Sequence, residues 1–194
     1  PLEDILEDAE KKVYDVVQRR NSGEFENIRD VVIRTLDSIE TAAKQQGHIT
    51  GLQTGFRDLD YKTAGLQPSD LILIAARPAM GKTAFVLNLA EYIALHSQST
   101  IAMFSLEMSK EQLVKRMLSM NSKVDSQKIR TGNLEDEDWG KLVDSVRRLG
   151  NSNLVIDDSS GITASEIHSK CRRLKMEKGL DLVIIDYLQL MSGG

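Results

Sequence analysis

The stretch Ile74-Ala75-Ala76-Arg77-Pro78-Ala79-Met80-Gly81-Lys82-Thr83-Ala84-Phe85 decides the reading of this chain, because an apolar run breaks into a short loop that ends in Gly-Lys-Thr. In a loop of this kind successive backbone N–H groups cradle phosphate oxygens. Lys82 reaches the β and γ phosphates, Thr83 offers its hydroxyl to Mg²⁺, and the following helix turns its positive end toward the charge. Ala76 stands where the general pattern G-x-x-x-x-G-K-[ST] has its first glycine, so the loop entrance must accommodate a Cβ. Gly81 is kept. The expected nucleotide contacts are therefore Ala76, Arg77, Pro78, Ala79, Met80, Gly81, Lys82, Thr83 and Ala84.

Two more segments bring carboxylates to the same place. Leu182-Val183-Ile184-Ile185-Asp186 reads as a buried parallel strand that delivers Asp186 to the carboxyl edge of its sheet, where it can orient Mg²⁺. Thr100-Ile101-Ala102-Met103-Phe104-Ser105-Leu106-Glu107 is a further apolar run with Glu107 just past its end, the right kind of group to polarise an attacking water. Three strand ends then converge on one nucleotide.

Around these points the pattern alternates. Strands are expected near 71–76, 100–105, 153–157 and 182–186, and helices near 82–96, 109–120, 135–149 and 164–178. Such alternation predicts an α/β fold with a parallel sheet and right-handed crossovers. Ser109-x-x-Gln112 and Thr163-x-x-Glu166 read as capping boxes at two helix starts. Upstream, Leu2, Ile5, Leu6, Ala9, Val13, Val16 and Val17 recur at helical spacing, and after Gly23 so do Ile28, Val31, Leu36, Ile39 and Ala43. The glycine-punctuated stretch from Gly47 to Asp70 reads as a linker or covering loop.

With 194 residues, 41% of them hydrophobic, the chain can bury one good core. No apolar run approaches the roughly 18 residues needed to span a bilayer, and the acidic start Pro1-Leu2-Glu3-Asp4 is unlike a secretory signal, so no membrane association and a cytoplasmic location are expected. The single Cys171 permits no internal disulfide and reads as an ordinary helix position. Of 29 acids and 25 bases, eleven and seven lie within residues 1–50, leaving 18 of each. The net charge of −4 thus belongs to the amino-terminal segment, and the neutral remainder argues against a broad electrostatic nucleic-acid surface. Lys170, Arg172, Arg173 and Lys175 read as a solvated helix face in preference to a local DNA patch. The absence of an initial Met and the ending in Ser192-Gly193-Gly194 directly after a strand suggest a fragment of a longer protein.

Several stretches together carry a family resemblance. Thr50-Gly51-Leu52-Gln53-Thr54-Gly55-Phe56-Arg57-Asp58-Leu59-Asp60 precedes the phosphate loop, Phe104-Ser105-Leu106-Glu107-Met108 follows the second strand, and Asp186-Tyr187-Leu188-Gln189-Leu190 closes the last. With Arg130-Thr131-Gly132, Asp138-Trp139 and Cys171-Arg172-Arg173-Leu174-Lys175, the chain resembles bacterial replicative DNA helicases of the DnaB type over essentially its whole length. The resemblance implies a RecA-like P-loop NTPase core at 51–194, truncated after the Walker B strand. It also implies a linker helix at 1–22 that docks on an adjacent subunit and a helical connector at 23–50.

The function so implied is an ATP-dependent motor. A homohexameric ring encircles single-stranded DNA, translocates as ATP is hydrolysed between subunits, and unwinds forked duplex, with primase and a helicase loader as partners. ATP and Mg²⁺ are the implied cofactors, Lys82 and Thr83 binding the phosphates and the metal, Glu107 activating water, and Asp186 supporting the metal directly or through water. The family's phosphate-sensing glutamine, arginine finger and main DNA-binding loops lie beyond the last strand. An arginine finger is worth about 10³–10⁵ in rate, so the chain alone is expected to bind Mg-ATP or ADP, hydrolyse slowly and unwind nothing.

Competing expectations are a RecA-like recombinase, or an ATP-switched ring or interaction module that does not unwind processively. Gln189 can face nucleotide or DNA, or satisfy local backbone; Arg77 has no assigned role. Asp157 and Asp158 read as capping or loop residues in preference to metal-water contacts. Trp139 reads as a packing residue, and Met103, Met108, Met117 and Met120 as core or helix-face filling.

Overall fold

The protein is described from a computed structural model that covers residues 26–44 and 49–192. The chain divides into two units, 1–48 and 49–194. In the first, helix α1 runs Ile28–Lys44, with Asn27 Oδ1 accepting from the Arg29 N–H at 3.0 Å near its start. The proposed linker helix at 1–22 lies outside the described residues, as do residues 23–25 and 45–48 of the connector.

The second unit is an α/β layer structure. In chain order it contains α2 (Arg57–Thr63), α3 (Lys82–His96), β1 (Ile101–Ser105), α4 (Lys110–Ser122), α5 (Ser126–Thr131), α6 (Asp136–Gly150), β2 (Leu154–Asp157), α7 (Ala164–Lys178), β3 (Leu182–Asp186) and a short 3₁₀ turn (Leu188–Leu190). The sheet order is β2-β1-β3 and both pairings are parallel. Ile101 faces Leu154 on one side and Leu182 on the other, and Ser105 pairs with Asp186.

β1 shows why the central strand reads as one apolar run. All five of its residues are buried, because helices cover both faces. Ile101 and Met103 point to one face, where Leu87, Leu89 and Ile93 of α3 and Leu113 and Met117 of α4 meet them. Ala102 and Phe104 point to the other, against Ile162 and against Ile167, Cys171 and Leu174 of α7. The period-two alternation of a strand thus feeds two cores at once.

One expected strand is not part of this sheet. Residues 71–77 run without helix or ladder, with Leu71 86% and Leu73 77% exposed. The apolar run has the composition of a buried strand, but among the described residues no neighbouring strand offers it backbone partners, and composition alone cannot supply them. Two short helices, α2 and α5, were not expected; each lies in a stretch too short to show a helical period. Asp125 Oδ1 starts α5 by accepting the Gln127 and Lys128 N–H groups.

The 49–70 stretch is the covering loop that the glycines suggest. Leu52 and Leu66 form an antiparallel bridge, and a Cβ on Gly51 would stand 2.4 Å from the Leu66 carbonyl oxygen. Asp60, only 3% exposed, organises the turn: its Oδ1 accepts from the Thr54 N–H at 2.8 Å and the Thr54 hydroxyl at 2.7 Å, and its Oδ2 accepts from the Gly55 N–H at 3.2 Å. Phe56 then stacks on Phe85 of α3 with ring centroids 4.8 Å apart. The Thr54-to-Asp60 motif therefore fastens the loop to the helix that carries Lys82.

Candidate functional site

α3 begins at Lys82, and the loop before it is shaped by two residues in the left-handed region, Ala79 at φ 63° and Gly81 at φ 84°. The Met80 N–H donates to the Arg77 carbonyl at 3.2 Å and closes the turn. The first intrahelical bond runs from the Phe85 N–H to the Gly81 carbonyl, so the N–H groups of Lys82, Thr83 and Ala84 leave the helix end without a carbonyl one turn back. Ala76 to Gly81 are exposed throughout. Backbone donors, a lysine and the positive end of a fifteen-residue helix converge here, which suits phosphate.

The far end of β3 completes the arrangement. Asp186 is 3% exposed, and its two oxygens are engaged by the residues of the loop: Lys82 Nζ lies 2.9 Å from Oδ1, and the Thr83 hydroxyl donates to Oδ2 at 2.7 Å. Lys82 Nζ also lies 4.2 Å from the centroid of the Tyr187 ring. The structure thus brings together Lys82, Thr83 and Asp186, which the sequence placed in one site, and adds Tyr187, which it did not. A hydroxyl and a carboxylate side by side are hard oxygen donors of the type Mg²⁺ takes, so the residues present fit that ion.

Glu107 stands at the same edge of the sheet. Ser105 pairs with Asp186 in the ladder, the Leu106 N–H donates to the Asp186 carbonyl at 2.8 Å, and Glu107 follows, exposed. The turn that carries it is fixed by Ser105, whose buried hydroxyl donates to the Met108 carbonyl at 2.7 Å. Leu106 and Met108 pack into the cores on opposite faces of the sheet, which leaves Glu107 as the side chain facing outward. Gln189 sits exposed in the 3₁₀ turn.

The two carboxylates that end β2 have structural partners. Asp157 pairs with Lys170 at 2.5 Å and accepts from the Ser159 N–H; burial works to raise its pKa, but the hydrogen bonds from Lys170 and Ser159 prevail and hold it at about 2. Asp158 accepts from the Lys110 N–H at 3.1 Å at the head of α4, and this hydrogen bond keeps its carboxyl below the ordinary range. Lys170 and Arg173 of the basic stretch spend charge on Asp157 and Glu177. Burial pushes the Cys171 thiol up, away from thiolate reactivity. Met103 and Met117 are buried and Met108 and Met120 pack against them, whereas Trp139, expected to pack, is 55% exposed.

A parallel sheet with helices on both faces, a Gly-Lys-Thr loop opening a helix and an aspartate at the end of a neighbouring strand define a P-loop nucleotide-binding domain of the RecA-like class. Within that class the chain belongs to the DnaB-like helicase C-terminal domain family, whose model matches residues 51–194. It is 52% identical over 192 residues to the replicative DNA helicase DnaC of Bacillus subtilis (strain 168), covering 99% of this chain and 42% of the relative. It is 49% identical over 189 residues to the replicative DNA helicase DnaB of Geobacillus stearothermophilus, covering 97% and 42%.

Two solved structures match the fold. One is an ATPase domain, with a TM-score of 0.81 and 36% identity, covering 87% of this chain and 60% of that one. The other is a DnaB-like replicative helicase solved to show its interactions with primase, with a TM-score of 0.76 and 33% identity, covering 100% and 48%. The chain spans less than half the length of the two helicase relatives. Helicase relatives do not favour the recombinase or switch alternatives. Among the described residues no helix is long and apolar enough to cross a membrane.

Proposed function

We propose that this chain is the nucleotide-binding part of an ATP-driven replicative DNA helicase, a homohexameric ring that translocates on single-stranded DNA and unwinds forked duplex, with primase and a helicase loader as partners. The observation that carries the reading is the convergence of Lys82 and Thr83 on Asp186 behind a loop of exposed backbone donors. In this assignment residues 1–22 are the linker helix, 23–50 the connector and 51–194 the motor domain. ATP is the substrate nucleotide, and a bound Mg²⁺ would neutralise phosphate charge and orient the terminal phosphoryl group.

The chain's own residues take the remaining roles. The loop from Ala76 to Ala84 wraps the phosphates, and the N–H groups of Lys82, Thr83 and Ala84 donate to their oxygens. Lys82 offsets charge on the transferring phosphoryl group, and the Thr83 hydroxyl and Asp186 carboxylate would hold the cation. Glu107, outward on a fixed turn, accepts a proton from the attacking water.

The test is strand displacement on forked DNA by the longer protein that contains this segment, with and without Mg-ATP. ATP-dependent displacement that Lys82→Ala abolishes is expected, and Glu107→Gln is expected to keep nucleotide affinity while losing turnover. Displacement that survives Lys82→Ala contradicts the assignment of the site, and nucleotide binding without displacement contradicts the motor.

A further inference from the structure

The loop lysine already has two partners in this structure. Lys82 Nζ lies 2.9 Å from Asp186 Oδ1 and 4.2 Å from the centroid of the Tyr187 ring, while the Thr83 hydroxyl takes the other Asp186 oxygen at 2.7 Å. Each partner is attractive to an ammonium for its own reason, the carboxylate through opposite charge and the ring through the negative face of its π system. Both are anchored by the end of β3, and Asp186 is almost wholly buried.

We propose that Asp186 and Tyr187 hold Lys82 in a pose that competes with the phosphate, and that Tyr187 is a positioning residue which weakens nucleotide binding through Lys82. This rests on the nucleotide-site reading above. A phosphate that claims Lys82 must draw the ammonium off the ring and off the carboxylate, and the buried Asp186 oxygen then needs another cation. A divalent cation arriving with the nucleotide supplies it. No corresponding compensation exists for the Tyr187 ring, so its contribution subtracts from affinity whether or not a metal is present. A site built in this way gives up some affinity and releases nucleotide sooner.

The sign of the effect separates this role from a packing role. ADP binding is measured by titration calorimetry on the 194-residue chain, in Mg²⁺ and in EDTA, for the unchanged protein, Tyr187→Leu and Tyr187→Phe. Removing the ring is expected to tighten ADP binding roughly two- to fivefold in both conditions, and Tyr187→Phe, which keeps the ring face, is expected to match the unchanged protein. Without nucleotide, the Lys82 ε-methylene protons are expected upfield of their random-coil position in the unchanged protein and in Tyr187→Phe, and back at that position in Tyr187→Leu.

Unchanged or weaker ADP binding by Tyr187→Leu overturns the proposal, as does a random-coil Lys82 signal in the unchanged protein. Failure of the unchanged protein to bind ADP contradicts the nucleotide-site reading instead. The ring-shift measurement needs no nucleotide and still decides whether Tyr187 holds Lys82.

Discussion

Gly55 has φ 84°, and a Cβ there would stand 2.5 Å from ring carbons of Tyr92. Two penalties meet at this residue, left-handed strain and collision with a ring on α3. Gly132 at φ 76° has the first without the second, since nothing lies within 4 Å of a Cβ built on it. Gly55→Ala is therefore expected to cost about 2–5 kcal/mol and Gly132→Ala about 1–2 kcal/mol, read by urea unfolding monitored at Trp139. Equal costs would mean that Tyr92 swings aside. At the same scale Lys82, Thr83 and Asp186 were legible in the sequence, because their chemistry is fixed by residue type and position in a short motif. Tyr187 and Ser105 were not. Tyr187 meets Lys82 only through the tertiary fold, and the Ser105 hydroxyl could have gone to any nearby carbonyl; a serine inside a buried strand was the one available signal.

Helix α7 illustrates how far an element can be read in advance. Thr163 and Glu166 exchange the two bonds of a capping box, as the spacing predicts, and the helix starts at Ala164. At Ser109 only half of the expected box forms: its hydroxyl accepts from the Gln112 N–H, while the Lys110 N–H is met by Asp158 from the far end of β2. At the head of α6 the Glu135 N–H donates to Asp138 Oδ2 at 3.2 Å, a cap that a search restricted to Ser or Thr passes over. α7 also reaches back to the sheet through Lys170 and Asp157. The folded pKa of Asp157, about 2, lies below its ordinary 3.8, so this pair contributes above pH 4 and its contribution is lost as pH falls through 2. Urea unfolding of the unchanged protein is expected to lose on the order of 1–2 kcal/mol more between pH 5 and pH 2 than Asp157→Asn, Lys170 being partly solvated. Parallel pH profiles would remove the pair from the stability of the fold.

For the unit 49–194 as a whole, apolar composition and burial diverge. Ile101 is fully buried between two ladders, while Leu73, in a run equally apolar by sequence, is 77% exposed. Ile101→Ala is expected to cost about 2–5 kcal/mol, and Leu73→Ser in the 194-residue chain to stay within about 0.5 kcal/mol, both read by denaturant midpoints. The alternation of strands and helices gave the layers correctly because local period reports which faces need cover. It could not give the place of 71–77, since strand pairing depends on partners distant in sequence. The order β2-β1-β3 has a further consequence during synthesis. β1 leaves the ribosome first, yet its ladder partners are made roughly fifty and eighty residues later, an interval of about 4–16 s for the second at 5–20 residues per second. Until Asp186 has emerged, the β3 edge of Ile101-Ala102-Met103-Phe104 has no ladder partner, and the nascent chain must be shielded or kept dilute for that time.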